Sequence, residues 1–120
     1  MTLHLNGQRL ATIAYDYGLL LVTDGGWQLT IETDLTLTEP GHDDLTTAAG
    51  EADGVVDRLE HAVGQAISAF VIDKRGGLTF SIAGVVVKVD PSEEYEAWNI
   101  VGPAQQRVVS MPGGEVVESA

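Results

Sequence analysis

The stretch Leu19-Leu-Leu-Val-Thr-Asp-Gly-Gly-Trp-Gln-Leu-Thr-Ile-Glu-Thr33 decides the fold class. An apolar run ends at Asp24-Gly25-Gly26, where glycine takes a positive φ without a Cβ penalty and the chain can reverse. Strict alternation follows the turn. Trp27, Leu29 and Ile31 fall on one side, Gln28, Thr30 and Glu32 on the other, the period of a half-buried strand. Leu35 and Leu37 extend that alternation, and Leu10 to Tyr17 supplies a strand candidate before it. Residues Arg9 to Thr38 therefore read as an antiparallel meander.

The same grammar recurs downstream. Ala66 to Ile72 is a strand candidate, Asp73-Lys-Arg-Gly-Gly77 a turn, Leu78 to Ile82 a strand, and Ala83-Gly84 a turn into Val85 to Val89. The two halves share a plan, which fits either a pseudo-twofold pair of meanders or convergent hairpin grammar. Between them, Gly41 to Gly54 reads as a polar loop. Val55, Val56, Leu59, Ala62 and Val63 then form a helical stripe opposed by Asp57, Arg58, Glu60 and His61. Asp53 suits the N-cap of that helix and Gly64 its C-terminal stop. Pro40, Pro91, Pro103 and Pro112 fall at seams, as a residue without a ladder donor should. Two closing strands are expected between Tyr95 and Glu115. The reading is an α+β domain spanning residues 1–120, mostly antiparallel β-sheet in two meanders of six to eight strands, with one short helix packed on a face.

Composition narrows the chemistry. The formal net charge is −12, from 18 acidic and 6 basic residues. Such a field repels phosphate backbones and anionic lipid, so neither a nucleic acid nor a membrane is an expected partner. No apolar run approaches the ~18 residues of a membrane span, and the start of the chain lacks a basic, then apolar, leader pattern. With no cysteine, disulfides, thiolate nucleophiles and cysteine-based metal sites drop out together. A cytoplasmic location fits all of this.

Catalytic constellations are missing from the pattern. His4, His42 and His61 share no metal-ligand spacing, so no metal and no cofactor are expected, and chelators should leave thermal stability unchanged. The glycine pairs at Gly25, Gly76 and Gly113 lie between β runs rather than ahead of a helix, so they are turns and not phosphate cradles. Ser68, Ser81 and Ser110 sit within strand patterns, none in a nucleophile elbow. Glu93, Glu94 and Glu96 read as charges guarding a sheet edge. Asp16, between Tyr15 and Tyr17, fits either a turn cap or a carboxylate in a pocket.

Two features point to interaction instead. The acids from Glu32 to Glu60 are opposed only by Arg58, and Asp43, Asp44 and Asp57 are the candidates for a docking face. Tyr95 and Trp98 precede the Gly102-Pro103 break and fit either core plugs or exposed anchors of a binding surface.

With these residues in view, the chain resembles a family of small, uncharacterised, mainly actinobacterial proteins, a domain of unknown function. The resemblance rests on Gly7-Gln8-Arg9, on Asp16-Tyr17-x-Leu19-x-Leu21, on Asp24-Gly25 and on Ile31-Glu32-Thr33. It closes with Tyr95-Glu96-Ala97-Trp98, Gly102-Pro103 and Pro112-Gly113-Gly114-Glu115. It implies one intact domain and carries no activity with it. More loosely, the composition is similar to that of compact acidic immunity proteins that neutralise toxins. The functional expectation is a non-enzymatic interaction domain that self-associates as a homo-oligomer or binds a basic protein. The alternative is a small-ligand-binding module or an unrecognised enzyme, with a pocket between sheet and helix near Asp16 and Tyr95.

Overall fold

The computed structural model describes residues 5–15, 18–47 and 53–119. Their strands are β1 (Leu10–Tyr15), β2 (Leu19–Thr23), β3 (Gln28–Ile31), β4 (Leu35–Thr38), β5 (Leu45–Thr47), β6 (Ile67–Ile72), β7 (Leu78–Ile82), β8 (Val85–Val89), β9 (Trp98–Val101), β10 (Arg107–Ser110) and β11 (Val116–Ser119). Helix α1 (Asp53–Leu59) continues into a 3-10 turn, Glu60–Ala62. All strand pairs are antiparallel. They form a six-stranded sheet ordered β1-β2-β3-β9-β10-β11 and a five-stranded sheet ordered β5-β4-β8-β7-β6.

The α+β class and the two meanders, β1-β2-β3 and β6-β7-β8, match the sequence reading. The described strands are more numerous than the six to eight expected. The alternation from Trp27 to Leu37 is two strands, because the chain leaves one sheet after Ile31 and enters the other at Leu35. Leu45–Thr47, inside the stretch read as loop, pairs with β4, and the Thr36 and Thr46 hydroxyls hydrogen-bond at 3.1 Å. Val116–Ser119 adds a strand beyond Pro112-Gly-Gly. Met1 to His4, whose alternation also reads as a strand, lies outside the described residues.

The two halves exchange strands. The first half lays β1-β2-β3 in one sheet, then crosses so that β4 pairs with β8 of the other half. The second lays β6-β7-β8 in the second sheet, then crosses back so that β9 pairs with β3. Both β1 and β6 carry a register shift near their starts. There the two strands meet through the Arg9–Ala66 bridge, with the Leu10 N–H donating to Gln65 O and the Ile67 N–H to Gln8 O. One side of the sandwich is thereby joined, and β5 and β11 remain as the outer strands of the two sheets.

Inward residues from both sheets fill one core cluster, including Leu21, Leu29, Ile31, Ile100 and Val108 from one side and Leu35, Leu37, Phe80, Val87 and Val89 from the other. Each such side chain stabilises the fold by about 1.5–3 kcal/mol when fully buried. Val55, Leu59 and Ala62 of the helical segment join the same cluster, which is how a helix too short to persist alone is held. Gly64 ends the segment with φ +89°, its N–H donating to Leu10 O, as its position in the sequence suggested.

The two outer faces differ in chemistry. Register on the six-stranded sheet gives one outward row of Ala14, Leu20, Thr30, Asn99, Val109 and Val117, and a second of Thr12, Val22, Gln28, Val101, Arg107 and Ser119. On the five-stranded sheet the rows are Thr46, Thr36, Lys88, Thr79, Val71 and Thr38, Val86, Ser81, Ser68, a surface dominated by hydroxyls. Neither set of rows contains a carboxylate. The described acids lie in turns, crossovers, the helix and the β11 edge.

Candidate functional site

The two crossovers define the surface with the richest chemistry. The Glu32 N–H donates to Ala97 O at 2.9 Å, which joins the segment leaving β3 to the segment entering β9. Pro91 follows β8 and stops its ladder. Ser92 then folds the chain into a tight turn, its Oγ accepting the N–H groups of Glu94 and Tyr95 at 3.2 Å each, while its carbonyl accepts the Gly113 N–H at 2.8 Å. This places Glu32, Asp34, Asp90, Glu93 and Glu94 in solvent at one end of the sandwich, with Glu96 half-buried beside them. Tyr95, between Glu94 and Glu96 along the chain, is 64% exposed.

Next to this turn lies an open cleft of about 310 Å³, lined by Thr33, Asp34, Thr36, Thr46, Lys88, Asp90, Pro91 and Ser92. Hydroxyls from both crossovers and from β4 and β5 surround it, with Lys88 from β8 as its one cationic side chain. Such a lining supplies donors and acceptors for a small polar molecule or for a side chain of a docked protein. Among the described residues, no group of three or more His, Cys, Asp or Glu side chains is placed to hold a metal ion.

The acidic segment singled out in the sequence is split by the fold. Asp43 and Asp44 are exposed in the loop after β4, at the opposite end of that strand from Asp34. Asp57 is exposed on α1, and none of the three ion-pairs with another described residue. Glu39 is different. It accepts the Arg58 Nε–H at 3.0 Å, and this hydrogen bond, with the guanidinium charge behind it, holds its carboxyl below the usual range. Arg58 thereby ties α1 to the end of β4. His42 and His61 are both exposed, while His4 and Asp16 lie outside the described residues.

Trp98 and Tyr95 take opposite roles. Trp98 is fully buried, and its indole N–H donates to Gly76 O at 2.9 Å, so it belongs to the core and is not a surface anchor. Alternation explains the difference: Trp98 pairs with Ile31 on the inward side of β9, whereas Tyr95 precedes the strand on the Ser92 turn. Tyr95 does not line the cleft, which lies beside Ser92 instead. Sequence reasoning did not find Thr36, Thr46, Lys88 or Ser92, nor the meeting of Asp34 with Asp90 across the cleft. The repeated plan held the signal, because equivalent crossovers of two exchanging halves must run side by side.

No helix among the described residues is long and apolar enough to cross a membrane. Neither the curated proteins nor the solved structures gave a match to this chain. A family model does match, over residues 1–119, and the chain belongs to that family, the family of unknown function DUF6188.

Proposed function

We propose that this protein is a non-enzymatic interaction protein that captures a basic protein partner in the cytoplasm, in the manner of an immunity or antitoxin protein. One observation supports the reading: a tyrosine that is 64% exposed stands on a turn pinned by two hydrogen bonds, flanked along the chain by Glu93, Glu94 and Glu96. Tyrosine is a preferred hot-spot anchor, and neighbouring like charges steer an oppositely charged partner toward it. Asp43, Asp44 and Asp57 extend the negative field around the molecule and add to the steering. The test compares the wild type with Tyr95→Ala and with Glu93→Lys/Glu94→Lys for binding of the protein recovered with it from its native cytoplasm. Tyr95→Ala should weaken binding by about thirtyfold, the effect of a 2 kcal/mol hot spot. The double reversal should slow association and flatten its salt dependence. Unchanged affinity in both variants would end the proposal.

The cleft supports a second reading, a module for a small polar ligand, since its volume lies at the lower bound for ligand pockets. Under that reading Lys88→Met abolishes ligand binding while Tyr95→Ala leaves it intact.

A further inference from the structure

We propose that Asn6 is a site of spontaneous covalent modification, deamidation by the chain's own backbone, and that the seam joining β1 to β6 gates the reaction. Asparagine is among the chemically labile residues, and the chain has two. Asn99 is half-buried within β9 and precedes Ile100, whose branched side chain crowds the amide nitrogen that would have to react. Asn6 is exposed and precedes Gly7, which has no side chain to hinder that approach. The chemistry needs only water. The Gly7 amide nitrogen attacks the Asn6 side-chain carbonyl carbon and forms a carbon–nitrogen bond. Its proton passes to the side-chain nitrogen, which departs as ammonia and leaves a cyclic imide. Water then opens the imide. Breaking the new bond gives aspartate, and breaking the original peptide bond gives isoaspartate, in which the main chain runs through the side-chain carbons.

The closed seam occupies both reacting groups. The Gly7 N–H donates to Ile67 O at 2.7 Å, and Asn6 Oδ1 accepts the Phe70 N–H at 3.0 Å. Attack requires the Gly7 nitrogen to leave Ile67, and neighbouring bonds resist that. The Ile67 N–H donates to Gln8 O at 2.8 Å, the Arg9–Ala66 bridge follows, and the Arg9 guanidinium donates to Gly64 O at 2.8 Å. A second pair open to imide formation, Asp24–Gly25, is closed at the same corner in the same way. There the Gly25 N–H donates to Gln8 Oε1 at 3.1 Å, and Asp24 Oδ1 accepts the Arg9 N–H at 3.2 Å. The products differ in effect. Aspartate at position 6 can still accept the Phe70 N–H, whereas the extra main-chain carbon of isoaspartate moves Gly7 out of register with Ile67. Each opening of the seam thus risks a one-way change that loosens the junction of the two sheets.

The experiment follows Asn6 by peptide mass spectrometry in the intact protein, native and urea-unfolded, alongside hydrogen exchange of the Gly7 amide. Exchange and attack both need the Gly7 N–H freed from Ile67 O, so one opening equilibrium governs both. Native deamidation should therefore be slower than in urea by at least about tenfold, and by the same factor, within about threefold, as folding slows exchange at Gly7. Asn99 should stay unmodified in the native protein. Arg9→Ala removes the guanidinium bond to Gly64 O at an exposed position, and it should quicken exchange and deamidation together by about threefold or more. Should that variant fold poorly, the two wild-type factors decide alone. The proposal is overturned by no reaction at Asn6 in urea, by native deamidation as fast as in urea, or by two factors about tenfold or more apart. A folded Arg9→Ala variant whose exchange quickens while its deamidation does not would overturn it as well.

Discussion

Gly76 and Gly114 show why single residues in turns can matter as much as core side chains here. Both have positive φ, +89° and +93°, and their backbones abut so closely that a Cβ on Gly76 would strike Gly114 and one on Gly114 would strike Arg75. The Gly76 carbonyl also accepts the Trp98 indole at 2.9 Å and the Ser110 hydroxyl at 3.0 Å. The β6–β7 turn of one sheet is thus clasped to the β10–β11 turn of the other. Gly76→Ala should cost roughly 2–6 kcal/mol, combining φ strain with overpacking against rigid backbone. Gly84→Ala, also at positive φ (+81°) but beside open space, should cost only about 1–2 kcal/mol. Urea unfolding of the pair separates the clash from the strain. Trp98→Ala should cost about 3–5 kcal/mol.

Asp73 supports the same turn and makes it pH-sensitive. Its Oδ1 accepts the Gly77 N–H at 2.9 Å and the Arg75 N–H at 2.8 Å, and these bonds, Gly77's first, lower its pKa on folding. A depressed carboxylate contributes stability that is fully present above the unfolded value near pH ~3.9 and is lost as pH falls through the lower folded value. The stability advantage of the wild type over Asp73→Asn should therefore hold steady from neutrality to about pH 4 and shrink below it, as read from urea midpoints across pH.

Among the elements, the hairpins were legible because their signals are local: Asp24-Gly-Gly and Asp73-Lys-Arg-Gly-Gly supply both the reversal and the residues that tolerate it. The crossovers were not. Trp27 to Leu37 keeps its alternation straight through Glu32 to Asp34, so nothing in the period reveals that the chain changes sheets there. Strand β5 was hidden for another reason: Leu45-Thr-Thr is too short to show a period and is held by long-range contacts, its ladder with β4 and the packing of Leu45 on the core. The candidate site suffered from the same blindness. Tyr95 was visible as an aromatic in an acidic stretch, but only long-range pairing shows that Glu32 runs beside Ala97 and that Trp98, three residues on, faces inward. Helix α1 obeys the simple rule of its apolar stripe. Leu59→Ala, at a fully buried position of that stripe, should cost about 2–4 kcal/mol by thermal or urea denaturation.

At the level of the whole molecule, the fold keeps the described carboxylates out of the outward rows of both sheets and sets them in turns, crossovers, the helix and the β11 edge. Negative charge is therefore a property of the rims rather than of the broad faces, a separation that net charge alone does not disclose. The strand exchange between halves has a consequence for how the protein is made. While only the first half has left the ribosome, β4 has no β8 to pair with and the far edge of β3 is bare, so a nascent chain halted near residue 64 should remain protease-sensitive. Closure waits for synthesis of the last strands. Cutting the chain after the exposed Gly64 should yield two pieces that are each unfolded alone yet recover native far-ultraviolet dichroism when mixed, since each holds the strands the other lacks.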